Sequence, residues 1–176
     1  MRRKVTVERL RQFMDELAAS ARGPGKIYFT GGATALLLGF REQTIDVDIK
    51  LDPEPAGVFE AIARLKDSLD LNIELASPDD FIPVTSDWRE HSPLVASVGG
   101  LQFFHYDLAL QALSKLERAY EQDLEDVRNL VGGGHVRPEE LRRKFAQIEP
   151  QLVRYPAIDA PRFKKNVEEF LRECQP

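Results

Sequence analysis

Two aspartates, Asp46 and Asp48, stand two residues apart in the segment QTIDVDIKL, with Val47 between them and Ile49 after them. The segment alternates strictly. Ile45, Val47, Ile49 and Leu51 fall on one face and Thr44, Asp46, Asp48 and Lys50 on the other, which predicts a strand. Two like charges side by side on a strand face repel each other, so the pattern asks for a positive partner. A calcium loop of the EF-hand kind also begins D-x-D, but it needs a third oxygen ligand and then a glycine, where this chain has Lys50 and Leu51. A glycosidase acid/base pair comes from separate elements rather than from neighbouring positions on one strand face. Two carboxylates about 7 Å apart along a strand suit joint binding of Mg²⁺, with the phosphates of a nucleotide completing the coordination.

Phosphate chemistry also accounts for the glycines upstream. Lys26–Thr30 reads as a short strand, Gly31-Gly32 follow, and ATALLLGF makes about two helical turns. A strand that ends in Gly-Gly and opens a helix offers backbone N–H groups and the positive end of a helix dipole to a phosphate. At Gly31 and Gly32 no side chain blocks the approach. The lysine-hydroxyl ending of a Walker loop is absent, and so is G-x-G-x-x-G.

The order Gly-Gly, thirteen residues, DVDI resembles the signature of the DNA polymerase β-like nucleotidyltransferase superfamily. The run from Arg41 to Thr44 and the segment NIELASPDDFIP are similar to a small bacterial branch related to abortive-infection nucleotidyltransferase toxins. So is LSKLERAYEQDLEDVRNL, with Lys115, Arg118, Asp123 and Asp126 in order. The resemblance implies that Asp46, Asp48 and Glu74 form a catalytic set of metal ligands, although the superfamily more often has aspartate at the third place. It further implies that Gly31, Gly32, Arg41, Lys115 and Arg118 contact the nucleotide. The cofactor would be Mg²⁺ or Mn²⁺ and the donor substrate a nucleoside triphosphate. The acceptor would be a macromolecule, RNA/tRNA or protein, within a toxin–antitoxin pair that includes a cognate partner protein. Plainer roles stand beside these: Glu74 as a surface acid, Arg41 as a helix cap, and Lys115, Arg118 and Gln122 as one solvated helix face.

The elements that must carry these residues suggest an α/β (α+β) fold, a small mixed sheet flanked by helices with a C-terminal helical extension. Val7, Leu10, Phe13 or Met14, and Leu17 predict an amphipathic first helix. PEPAGVFEAIARLKDSL predicts another, and LNIEL a strand with Asn72 and Glu74 on its polar side. SPDDFIP is a loop or a single turn. LVASVGGLQFFHYD predicts a hairpin around Gly99-Gly100. One long helix is expected from Asp107 to about Val131, with a stripe of Leu113, Leu116, Tyr120, Leu124, Val127 and Val131. Two more follow, near 138–149 and 159–173. This divides the chain into a core over 1–131 and an extension over 138–176.

Composition narrows the class. At 176 residues, 43% hydrophobic and 30% charged, the chain suits one compact domain. No apolar run reaches the ~18–20 residues of a membrane span, and the basic start lacks the apolar stretch of a signal peptide. One cysteine, Cys174, fits a reducing, cytoplasmic setting. A net charge of −5 argues against a broad nucleic-acid surface. Arg137, Arg142, Arg143, Lys144 and Arg154 form a local basic cluster whose ordinary reading is a solvated helix face. His91, His105 and His135 lack metal-ligand spacing, and His105 and Trp88 read as packed residues. Two other functions use the same acids: a non-catalytic nucleotide-binding or antitoxin module, and a metal-dependent phosphohydrolase.

Overall fold

The computed structural model describes residues 4–175, leaving Met1, Arg2 and Arg3 of the basic start, and Pro176, outside the described residues. Its elements follow in the order α1 (Val7–Ser20), β1 (Gly25–Thr30), α2 (Gly31–Leu37), β2 (Asp46–Leu51), α3 (Val58–Ser68), β3 (Asn72–Leu75), β4 (Leu94–Val98), β5 (Leu101–His105), α4 (Leu108–Arg118), α5 (Glu121–Gly132), α6 (Pro138–Ile148) and α7 (Ala160–Glu173). Short 3₁₀ turns cover Pro78–Asp80 and Glu149–Arg154. The chain is mixed α/β, and none of its described helices is long and apolar enough to cross a membrane.

The chain divides into two compact units, Met1–Ser77 with Ser92–Tyr106, and Pro78–His91 with Asp107–Pro176. α4 and α5 group with the C-terminal helices rather than with the sheet.

In the first unit the five strands lie in the order β3-β2-β1-β5-β4. β1 is antiparallel to β2 and parallel to β5, β2 is parallel to β3, and β4 and β5 form the expected antiparallel hairpin. One face of the sheet buries Ile27, Phe29, Val47, Ile49, Ile73 and Phe103 against Leu10, Phe13 and Leu17 of α1, Ala33 and Leu36 of α2, and Ile62 of α3. Period-two alternation in the strands and period-3.6 spacing in the helices meet there. Toward β5 the opposite face is aromatic, with Tyr28 stacked on Phe104 at 5.2 Å and edge-on to Tyr106 at 6.4 Å. Ile45, placed by alternation on the apolar side, is 61% exposed; it lies just ahead of β2, and Thr44 beside it forms an isolated bridge with Val5.

In the second unit the single long helix expected from Asp107 to Val131 is two. α4 ends at Ala119, whose φ of +55° is left-handed, and the extended Tyr120 leads into α5. Tyr120 is 72% exposed, so it leaves the apolar stripe. The buried face of α5 is Asp123, Asp126, Val127 and Leu130. Gln122 consequently sits on a different helix from Lys115 and Arg118, and its amide donates to Glu125 at 3.3 Å. α4 packs on α5, α6 and α7, with Phe145 edge-on to Phe163 at 5.0 Å.

Lys144 departs from the solvated basic cluster. Its side chain is fully buried. The ammonium donates to Asp107 Oδ2 at 2.5 Å and Thr85 Oγ1 at 3.3 Å, and lies 3.5 Å from Asp87 Oδ1. Asp107 Oδ1 meanwhile accepts the Leu110 N–H and caps α4. Burial pushes the Asp107 carboxyl above its ordinary range, against the lowering effect of Lys144 and the Leu110 N–H. The Thr85 hydroxyl bond holds Asp87 below its range.

Removing the Lys144 charge strands Asp107, so Lys144→Met is expected to cost about 3–5 kcal/mol in urea unfolding. The double variant Lys144→Met/Asp107→Asn, which keeps an oxygen for the α4 cap, should recover most of that loss. Equal instability of the two variants would contradict the pairing.

Candidate functional site

The acidic face of the sheet is built by register. Val47 and Ile49 are fully buried in the core, which turns Asp46 and Asp48 to the other face of β2, both half-buried. Across β2 and β3, Asp46 is level with Asn72 and Asp48 with Glu74. On the other side, Asp48 is level with Thr30, the last residue of β1. The two aspartates and Glu74 thus share one face of adjacent strands, as alternation in DVDIKL and LNIEL predicts.

β1 passes directly into α2 at Gly31, which takes a φ of +56°. A Cβ there would stand 3.1 Å from Asp48 Oδ2, so the glycine both accepts a left-handed backbone and lets the carboxylate approach the main chain. A Cβ on Gly32 would collide with Thr44 Oγ1 and would lie 3.7 Å from Arg41 Nη1. The Thr44 hydroxyl donates to the Asp46 carbonyl at 3.2 Å. The spacing of Arg41 and Thr44 therefore has a local cause: both side chains converge on Gly32, next to the start of β2. α2 has only seven residues, so its dipole adds little, and the close approach of Asp48 and Thr44 to the glycine pair is the larger feature.

Asn72, which the sequence reading placed beside Glu74 without giving it a task, links the acids. Its Nδ2 donates to Asp46 Oδ1 at 2.6 Å and to Glu74 Oε1 at 3.0 Å. Its place two residues before Glu74 on the same strand face was the available signal. The pairing across to Asp46 needed the strand register. Glu74 itself is exposed. Among the described residues no group of three or more His, Cys, Asp and Glu could enclose a metal ion. Asp46, Asp48 and Glu74 share one face of the sheet. The donors are carboxylate oxygens, the chemistry that Mg²⁺ or Mn²⁺ prefers, and Asp48 adjoins Gly31, which adds no side chain of its own. On that donor chemistry Asp46 and Asp48 fit a divalent cation.

Lys115 and Arg118 belong to the second unit. Lys115 is 8% exposed; its Nζ donates to Asp126 Oδ2 at 2.6 Å and lies 3.6 Å from Asp123 Oδ1. Arg118 bonds the same Asp123 oxygen at 2.7 Å. The four residues form a charge-balanced cluster across the α4–α5 elbow, and the ion-pair reading of these basics describes the contacts they make. His105 is 6% exposed with Nδ1 3.1 Å from Thr34 Oγ1, and Trp88 is 4% exposed under the Arg89 guanidinium, both as packed residues.

Comparison of the chain with protein-family models, with curated proteins and with solved structures gave no match.

Because a left-handed backbone costs a residue with a Cβ about 1–2 kcal/mol, Gly31→Ala should lower stability by that much in chemical denaturation. Gly39→Ala, with φ +80° and open space around its Cβ position, controls for backbone strain alone. A second effect, weaker divalent-cation binding in Gly31→Ala but not in Gly39→Ala, is expected from the added contact with Asp48.

Proposed function

We propose that this chain is an Mg²⁺-dependent nucleotidyltransferase that moves a nucleotidyl group from a nucleoside triphosphate to a macromolecular hydroxyl, on RNA/tRNA or on a protein. The observation that carries this reading is the juxtaposition of Asp48 with Gly31: an acid of a two-aspartate strand face meets the backbone of a strand-to-helix glycine pair. Asp46 and Asp48 would hold the cation, which supplies neutralisation of phosphate charge and a more acidic acceptor hydroxyl. Gly31 and Gly32 would be the phosphate contacts, with Asp48 Oδ2 beside Gly31 and Thr44 Oγ1 against Gly32. Arg41, beside Gly32, offers a planar cation suited to phosphate. The acceptor hydroxyl gives up its proton to solvent, its oxygen forms the bond to the α-phosphorus as the bond to the bridging oxygen of the β-phosphate breaks in line, and pyrophosphate leaves.

A second reading has its own support. Glu74 accepts from Asn72 Nδ2 at 3.0 Å, and a weak contribution of Glu74 to the acidic set favours a nucleotide-binding or antitoxin module that acts on a partner protein by contact.

Label transfer separates the two. The purified chain with Mg²⁺ and each α-labelled nucleoside triphosphate is incubated with total RNA and lysate, beside Asp46→Asn/Asp48→Asn. Label on RNA or protein that falls to background in the variant is the expected outcome. Nucleotide binding without label in either sample supports the binding module. Equal labelling by the variant would mean that these aspartates are not the site.

A further inference from the structure

Glu74 has two directions open to it. It is level with Asp48 on the neighbouring strand, about 4.8 Å away between strand axes, and it also stands two residues from Asn72 on its own strand. The carboxylate takes the second direction, with Oε1 accepting from Asn72 Nδ2 at 3.0 Å. The same nitrogen donates to Asp46 Oδ1 at 2.6 Å. A primary amide nitrogen carries two hydrogens, and these contacts use one each. The trigonal splay of the two N–H bonds sets the two carboxylate oxygens roughly 5 Å apart. A Mg²⁺ ion about 2.1 Å from each oxygen needs them within ~4.2 Å. The amide nitrogen therefore occupies the space between Asp46 and Glu74 that a shared cation would take, and its partial positive charge relieves the repulsion such a cation would relieve.

We infer that Asn72 parks Glu74 outside the cation-binding set and so sets the affinity of the acidic face for a divalent cation. The inference rests on the proposed cation role of Asp46 and Asp48. Asn72 is a positioning residue, acting through Asp46 and Glu74. With its amide in place the face offers two aspartates. Once the amide is withdrawn Glu74 is released and the face becomes a three-carboxylate set. Drawing Glu74 into the set breaks a hydrogen bond to a charged group, and giving up the Asp46 contact breaks another. Cation loading and release of Glu74 are therefore linked.

The test is Mn²⁺ titration of the full chain, with free Mn²⁺ read by electron paramagnetic resonance. Wild type is compared with Asn72→Ala, Asn72→Leu, Glu74→Gln, Asn72→Ala/Glu74→Gln and Asp46→Asn/Asp48→Asn, each checked for folding by thermal melting. Asn72→Ala is expected to bind Mn²⁺ at least about fivefold more tightly than wild type. The gain should vanish in Asn72→Ala/Glu74→Gln. Asn72→Leu, which keeps the shape but can neither donate nor ligate, should gain as well. A merely structural asparagine would give the opposite sign, because loosening the face weakens binding. Wild-type affinity or weaker binding in folded Asn72→Ala and Asn72→Leu would overturn the parking of Glu74 while leaving the cation role of the aspartates standing. Failure of every protein, wild type included, to bind millimolar Mn²⁺ would overturn the cation role itself and this inference with it.

Discussion

The position of every polar group on the acidic face depends on β2 being fixed between β1 and β3. Val47 and Ile49 are fully buried, and a shift of one residue would exchange them for Asp46 and Asp48. Moving two carboxylates into an apolar core costs far more than any single contact here supplies, so the register is pinned from beneath. The same register sets Asp48 level with Thr30 at the end of β1. Gly31 turns the chain out of the sheet at that point, so its backbone meets a carboxylate rather than an apolar side chain. Asp46 is brought level with Asn72 by the same alignment. The acids, the glycine pair and the bridging amide are thus consequences of one alternation pattern.

In the second unit the governing terms are buried charges. Lys144 neutralises Asp107, which also caps α4, so one carboxylate ties the start of that helix to α6. At the other end of α4, Lys115 and Arg118 share Asp123 and Asp126 across the elbow at Ala119. A straight helix would place Asp123 and Asp126 beyond the reach of these contacts; two helices folded at Ala119 bring them back. Buried pairs of this kind add little net stability when complete and cost much when broken, so they specify which way the helices fold more than how firmly.

What could be read from the residue order follows the same physics. Alternation in DVDIKL and LNIEL, the glycine pair at Gly99-Gly100 and the apolar spacing of α1 each depend on neighbours within a few positions, and the strands, the hairpin and the shared face of Asp46, Asp48 and Glu74 were legible from them. The elbow was not. Tyr120 fits an apolar stripe by spacing, and an alanine at φ +55° carries no local signal of a break. Lys144 read as a surface basic because its partners, Asp107 and Asp87, lie far away in sequence. Asn72 bridges Asp46 and Glu74 only once β2 and β3 are in register, a pairing between strands separated by α3. The division into units was hidden for a related reason, since the segment Pro78–His91 joins the helices rather than the sheet on either side of it.

The central claim is that Asp46 and Asp48 are a cation site beside a phosphate-accepting backbone. Its most direct test is a crystal of the full chain soaked with Mn²⁺ and a nucleoside triphosphate blocked at the α,β-bridge, with the metal located by anomalous scattering. The account predicts a peak within coordination distance of both aspartate carboxylates, with a phosphate oxygen facing the Gly31-Gly32 backbone. A nucleotide bound elsewhere, or one bound here with no metal peak at the aspartates, would contradict it.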